Sequence, residues 1–568
     1  MSTTNPIMRD LQSSAETIIP HAQFHWSEIG AQKRNTRDAL IPDAWRIDVK
    51  KYASRSNVLD VPLVCGILSP HELHITSDFD AVDLVEKMRS GTFSVEEVTT
   101  AFCKRAAIAQ QLTNCLTEIF FDEAIDRARL LDQHRKTHPH EVLGPLFGLP
   151  ISLKDTYQIP GIDASIGLVC YTFKPSTTYS TLPKLLLSLG AVLYCKTNVP
   201  QTMMTADSHN NIFGRTTNPA NRNLTAGGST GGEGPLIALR GSVLGFGTDL
   251  AGSIRIPSLC NGIYGFKPSS SLIPFSGQRI PFLPGWESVG IIASAGPLAT
   301  SCRACTFALE SIVRACPADL DPGCLRMPWV VPDPETLDAG AGKALRVAFV
   351  ADDGLSTPTP PVRRGLMSSV EKLRAAGVEI IDLKLPLVTD MLQLMGDMFA
   401  LDGSKHLTEL LQSGQEPLMP SVANMGLLTP GPSKTMEEYY SLNKLRYSIT
   451  EKYTELWHDH NIDAMLMAPA PYTAVALDSW SSVSYTAIFN ILDYPSLVIP
   501  VGRVEETDVV DDISNALYGD ADAQLYQKYT GPEAFSGAPI CVQIIGKKQD
   551  DQAFARVAAV IDSILKGS

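Results

Sequence analysis

Three residues in the first half of the chain are of the types that form acyl intermediates and shuttle protons: Lys154, Ser229 and Ser253. The two serines fall in separate glycine-rich turns of the stretch Leu224–Pro268. The first, Gly227-Gly228-Ser229-Thr230-Gly231-Gly232, suits a backbone that bends where few side chains fit. The second, Thr248-Asp249-Leu250-Ala251-Gly252-Ser253, turns sharply into Ile254–Pro257, which reads as a helix start. A serine at a tight strand-to-helix turn sits among unpaired backbone N–H groups, where an oxyanion can be held. Lys154 closes the apolar run Pro150–Leu153, which reads as a buried strand. Desolvation disfavours a buried ammonium, so a neutral Lys154 could act as a base for a serine. It could equally pair with its neighbour Asp155, and the local residues leave the two readings even.

Two other chemistries fit poorly. Gly227-x-Ser229-x-Gly231 matches a nucleophile elbow, but the preceding Asn221–Ala226 is too polar for the buried strand an elbow needs. No Gly-Lys-Ser/Thr follows the glycines, so a phosphate loop is excluded.

The elements that would position these groups alternate between strand and helix. Between the two turns, Pro235–Leu239 reads as a short helix capped by Gly241, and Val243–Gly247 as a buried strand. Upstream, Asp80–Gly91 and Ser94–Gln111 read as amphipathic helices, the second started by Ser94 with Glu96 and Glu97 in its first turn. Thr117–Phe121 and Val192–Lys196 read as strands, Asp122–His134 and Thr181–Gly190 as helices. Downstream come a strand–helix–strand unit over Leu345–Leu383, a long helix at Glu437–His458 and strands at Ala464–Ala468, Ser496–Val501 and Ile540–Ile545. A helix over Asp550–Leu565 closes the chain. This rhythm implies an α/β fold, a single large domain with a central mixed sheet flanked by helices on both faces. Residues 1–79 read as a helical and irregular leader on a catalytic domain spanning 80–568. Surface insertions are expected near 316–337 and 505–527.

Composition narrows the function. An apolar content of 44% with 19% charged residues is that of a core-forming globular chain. A formal charge of −14 without a basic run argues against nucleic-acid binding. No apolar run reaches membrane-spanning length, and the polar start lacks the order of a signal peptide. A cytoplasmic protein is expected. The 11 cysteines are odd in number and scattered in apolar contexts, which reads as reduced thiols. Cys302-x-x-Cys305 has no matching second pair, and pairs such as His138/His140 and His458/His460 lack metal-site spacing, so no metal is expected.

The whole stretch Leu224–Pro268 resembles the signature of the amidase signature family, whose common form reads GGSSGGEGALIA…G(T/S)DIGGSIR(I/F)P…GLKP. Gly144–Asp155, Lys196–Gln201, Phe213–Pro219, Leu345–Ala348, Asp493–Pro495 and Gly537–Pro539 match further family phrases, and the resemblance covers roughly Asp80 to Leu565. The texture around Thr202–Ser208 and Ile491–Pro495 is most similar to fungal acetamidases. The resemblance implies Ser253 as nucleophile, Ser229 as the bridging serine after a cis peptide bond, and Lys154 as base. It implies an oxyanion hole from the backbone N–H groups of Leu250, Ala251, Gly252 and Ser253. Met203, Thr230, Asp249 and Arg255 would support the loop or the substrate. It further implies an amidase that cleaves a small carboxylic amide through an acyl-enzyme, with no metal or cofactor. The partners would be a small-molecule amide and, as often in the family, a second copy of the chain, with no nucleic acid or membrane. A role in a secondary-metabolite pathway is compatible with this.

Three departures stand out. Ala251 replaces a glycine in the oxyanion turn, Thr230 replaces the second serine of GGSS, and Ser271-Leu272 replaces a Gly-Arg pair. Alanine at 251 is strained only if the position needs a positive φ, and a negative φ is expected because every catalytic position is retained. The competing functions are an ammonia-delivering amidotransferase subunit and a catalytically weakened binding protein.

Overall fold

The strand-forming runs collect into one mixed sheet. The computed structural model describes residues 25–286, 289–330, 345–428 and 430–567. Its strands are β1 (Leu116–Ile119), β2 (Pro150–Lys154), β3 (Val192–Thr197), β4 (His209–Asn210), β5 (Gly214–Arg215), β6 (Leu244–Asp249), β7 (Tyr264–Lys267), β8 (Ser294–Ala299), β9 (Arg346–Phe349), β10 (Glu379–Asp382), β11 (Ala464–Met467), β12 (Ser496–Arg503) and β13 (Pro539–Ile545). Eleven of them pair in the order β1-β3-β2-β6-β8-β7-β12-β13-β11-β9-β10, and β4 and β5 form a separate ribbon. Neighbours β3–β2–β6 and β11–β9–β10 run parallel, and the pairs between β6 and β11 run antiparallel. The expected α/β class with a mixed sheet and flanking helices is what the chain forms.

Strands in the middle of such a sheet are covered on both faces, so they read as continuous apolar or small-residue runs. Every residue of β2, β3, β6 and β13 is buried. β6 continues past Gly247 to Asp249 because its glycines are packing positions, not strand ends. A Cβ on Gly247 would stand 2.5 Å from Thr230 Cγ2, so only glycine lets the first serine turn lie on the sheet.

Helix ends follow their sequence signals. Ser94 and Glu97 close a capping box on the Val95–Thr113 helix. The expected cap at Gly241 is placed differently. The helix Glu233–Ala238 ends early, Arg240 takes the left-handed position with φ 60, and Gly241 instead makes room for Ala106 of the Val95–Thr113 helix, whose Cα a Cβ would meet at 3.1 Å.

The leader from residue 25 contributes the helices Trp26–Ala39, Val61–Val64 and Pro70–Asp78 and two short 3₁₀ turns; its first 24 residues lie outside the described range, as do 331–337 of the expected insertion. Lys33 of the first helix reaches Glu118 of β1 at 2.7 Å and Asp163 at 2.8 Å, with all three side chains largely buried. The acidic stretch 505–527 is mostly exposed, yet two of its carboxylates are buried anchors. Asp522 accepts from the Thr357 N–H and hydroxyl, each at 2.7 Å, and Asp508 from Arg364 at 2.7 Å.

Removing one partner of a buried ion cluster leaves the other charges unpaired, at a cost of about 3–5 kcal/mol. Lys33→Met is therefore expected to lower the urea midpoint of unfolding strongly, and Lys33→Arg much less. A Lys33→Met chain as stable as the parent would show that the leader helix contributes little to the fold.

Candidate active site

β2 and β6 lie side by side in parallel, with Ser152 opposite Gly245 and Leu153 opposite Phe246. Alternation along β2 points Ser152 and Lys154 to one face. There Lys154 Nζ lies 2.7 Å from Ser229 Oγ and 2.8 Å from Thr248 Oγ1. Asp155, beyond the strand, goes elsewhere. It accepts from Thr117, Ser165 and the Ile166 N–H and pairs with Lys196 at 3.3 Å. The rival reading of Lys154 as the partner of Asp155 therefore does not hold. A different lysine satisfies that carboxylate, and Lys154 faces hydroxyls. Burial pushes the Lys154 pKa down to about 7, against the upward pull of Asp249 and Glu233. Beneath it, burial raises the Glu233 carboxyl to about 8, and the Ser152 and Thr197 hydroxyls donate to it at 2.6 and 3.1 Å.

The Gly228–Ser229 peptide is cis. The two serine turns are tied together: the Thr230 N–H donates to the Ser253 carbonyl at 3.2 Å, and the Thr230 hydroxyl to the Thr248 carbonyl at 3.3 Å. The second turn is built around Asp249. Its carboxylate accepts from the N–H groups of Gly252 (2.8 Å), Ile254 (3.0 Å) and Arg255 (3.3 Å), and from the Arg255 guanidinium at 2.9 Å. Burial works against a charged Asp249, but Arg255 outweighs it and holds the carboxyl well below the usual range. Thr486 and Asn490, on the Ser484–Ile491 helix, complete the cage. The Thr486 hydroxyl donates to the Ala251 carbonyl at 2.6 Å, and Asn490 Nδ2 to Asp249 at 2.9 Å.

Of the four N–H groups expected in an oxyanion hole, that of Gly252 is thus committed to Asp249. Those of Leu250, Ala251 and Ser253 have no acceptor among the described residues. Ala251 is absent from the residues with positive φ, whereas Gly252 has φ 131, and a Cβ there would meet Thr486 Oγ1 at 2.3 Å. The strained position of the turn is the one that kept its glycine.

Ser253 is partly open, and among the described residues nothing hydrogen-bonds its hydroxyl. Two apolar recesses meet beside it. One is walled by Phe275, Ile280, Phe282 and Trp286, the other by Phe399, Met425 and Leu427, and Met203 lines both. Met203 sits in a turn where it and Thr202 have positive φ, 59 and 66. Phe282 stacks on Trp286 with centroids 4.0 Å apart. Sequence reasoning missed Thr248, Thr486, Asn490 and Glu233. Thr248 and Glu233 lie inside the signature itself, but the other two are more than 230 residues from Asp249 or Arg255 and carry no local signal.

The sequence profile of the Amidase family matches residues 97–554, and the chain belongs to the amidase signature family. It is an enzyme of that class, a hydrolase acting on amide C–N bonds. The chain is 35% identical over 561 residues to an acetamidase of Aspergillus oryzae, covering 95% of this chain and 99% of that one. It is 35% identical over 549 residues to an acetamidase of Emericella nidulans, covering 95% and 98%. Its structure is similar to that of a fatty acid amide hydrolase, with TM-score 0.87, 30% identity and 96% of each chain covered.

Because Ala251 has no strain to relieve, Ala251→Gly is expected to leave kcat unchanged and to lower stability by about 0.4–1 kcal/mol through the freer unfolded chain. Gly252→Ala is expected to cost more than that, and most of the activity, since both φ and space forbid a Cβ. Steady-state kinetics and thermal unfolding of the pair check this; a large kcat gain in Ala251→Gly would count against it.

Proposed function

We propose that the chain hydrolyses small carboxylic amides with Ser253 as nucleophile, Ser229 as proton relay and Lys154 as base. The observation that carries this reading is a fully buried lysine, its pKa pushed down to about 7, 2.7 Å from Ser229 and beside a pocket into which an unbonded Ser253 hydroxyl opens. In this mechanism the Ser253 proton passes to Ser229 Oγ as the Ser229 proton passes to Lys154 Nζ. Ser253 Oγ then bonds to the amide carbon, and the carbonyl oxygen takes the charge. The N–H groups of Leu250, Ala251 and Ser253 receive that oxyanion; Gly252 serves by giving its N–H to Asp249 and setting the turn. The proton on Lys154 returns through Ser229 to the leaving nitrogen, ammonia or amine departs, and water attacking along the same relay releases the acid. Thr230, Asp249 and Arg255 act by holding the two turns, and Met203 by forming the floor shared by both recesses.

The apolar walls support an amide with an apolar acyl or amine group larger than acetamide, as a biosynthetic intermediate would carry. Each buried methylene contributes about 0.8 kcal/mol, roughly fourfold. kcat/KM is therefore expected to climb several-fold per carbon from acetamide towards hexanamide until a recess is full. A cytoplasmic site of action and a homodimer complete the proposal. Glutamine belongs among the amides assayed for ammonia release from the purified chain, because release from glutamine alone would favour the amidotransferase reading.

Lys154→Ala should cut kcat by several orders of magnitude with the fold intact. In the parent, only neutral Lys154 can accept a proton, so kcat/KM should rise with pH through about 7 and level off above it. A profile flat from pH 5 to 9 (roughly the window in which such a group titrates) would sink the assignment. A fluorophosphonate should label Ser253, and mapping of the label to Ser229 instead would exchange the two serine roles.

A further inference from the structure

Away from the active site, the outer end of the Phe121–Thr137 helix gathers three groups that the amidase chemistry does not use. His134, His138 and Glu141 present ligand atoms that all lie within 4.8 Å of one another. His138 and His140, two apart in sequence, lie past the end of the Phe121–Thr137 helix. The structure pairs His138 with His134 instead, one turn back, where i and i+4 share a face. Their rings stack with centroids 4.5 Å apart and an interplanar angle of 23°. The chain then folds back, the Glu141 N–H donating to the His138 carbonyl at 3.1 Å, and this brings Glu141 Oε2 to 3.0 Å from His134 Nε2.

We propose that His134, His138 and Glu141 form a surface site for a borderline transition-metal dication, with Zn²⁺ as the physiological candidate. Two imidazoles and one carboxylate are a donor set for such an ion, at bond lengths of about 2.0–2.2 Å, with a fourth position open to water. Adjacent ligands in that geometry stand about 3.3 Å apart. The His134–Glu141 edge is already close to this, and small rotamer changes bring in His138. The orientation of His138 is set in advance. A tautomer with the proton on Nδ1, donating to the His134 carbonyl 3.3 Å away, leaves the Nε2 lone pair for a metal. Thr137 Oγ1 lies 2.9 Å from the same Nδ1. The site also stands at a helix C-terminus, where the backbone carbonyls favour a cation. Binding there would fasten the helix end to the loop that runs into β2, the strand ending at Lys154.

The test uses the full-length chain without an affinity tag, stripped with EDTA and titrated with ZnCl2 by calorimetry. One ion per chain is expected. His134→Ala and His138→Ala should each abolish the saturable heat, and Glu141→Gln should weaken it about tenfold or more. Zinc should raise the Tm of the parent and leave that of His138→Ala unmoved. All three residues are on the surface and outside the catalytic machinery, so acetamide hydrolysis by each metal-free variant should match the metal-free parent and certify its fold. Absence of saturable zinc binding to the parent, or binding by both histidine variants as tight as the parent's, would overturn the site whatever the outcome for the amidase mechanism.

Discussion

A single buried carboxylate holds the second serine turn in shape. Asp249 ends β6 and accepts from the backbone N–H groups of Gly252, Ile254 and Arg255 together with both the ε-nitrogen and a terminal nitrogen of Arg255. A turn this tight leaves several backbone donors without helical or strand partners, and buried donors without partners cost about 1–3 kcal/mol each. One aspartate removes that cost at three positions and fixes the direction of the donors that remain. The guanidinium is the second half of the device. Two unit charges buried together cost less than either alone, and Arg255 also donates to the Thr486 carbonyl and to Asn490. The turn is thereby locked to a helix that arrives more than 230 residues later in the chain.

The lysine end of the site rests on a different constraint, the selective exclusion of charge partners. Two lysines and two acids meet near the C-terminal ends of β2 and β3, all buried. Lys196 takes Asp155, while Lys154 is left among the hydroxyls of Ser229 and Thr248. The strand alternation that sends Asp155 away from Lys154 is what keeps the amine from being held as an ammonium. Glu233 could undo this from below. Its own burial raises it to about 8, and two hydroxyls satisfy it without adding charge. Lysine and glutamate thus each sit where desolvation favours the neutral form.

Much of this was legible in the residues. The strand and helix rhythm places nine of the sheet's eleven strands within a residue or two, since apolar runs bounded by glycine and proline have few alternatives; β7 and β8, short and rich in glycine, proline and small residues, carry no such signal. The serine turns announced themselves because only glycine tolerates the close approach at Gly247 and the φ of 131 at Gly252. The negative φ expected at Ala251 agrees with its backbone, which is absent from the positive-φ residues. Errors arose where a residue serves two purposes. Gly241 closes the helix end, its N–H donating to the Leu236 carbonyl at 2.8 Å, but it also admits Ala106, and the left-handed turn expected of it falls to Arg240.

By itself the sequence determined the types of the reacting groups, their places at strand ends and glycine turns, and the family to which the chain belongs. Those are local properties, written in short windows of residue type and spacing. The tertiary structure alone decided which neighbour each charge would meet. It settled that Lys154 faces Ser229 and not Asp155, that the Gly252 N–H belongs to Asp249, and that Thr486 and Asn490 close the turn. It also decided that His134, not His140, stands beside His138. Pairings of this kind depend on register between strands and on packing across hundreds of residues, and no window of sequence contains them.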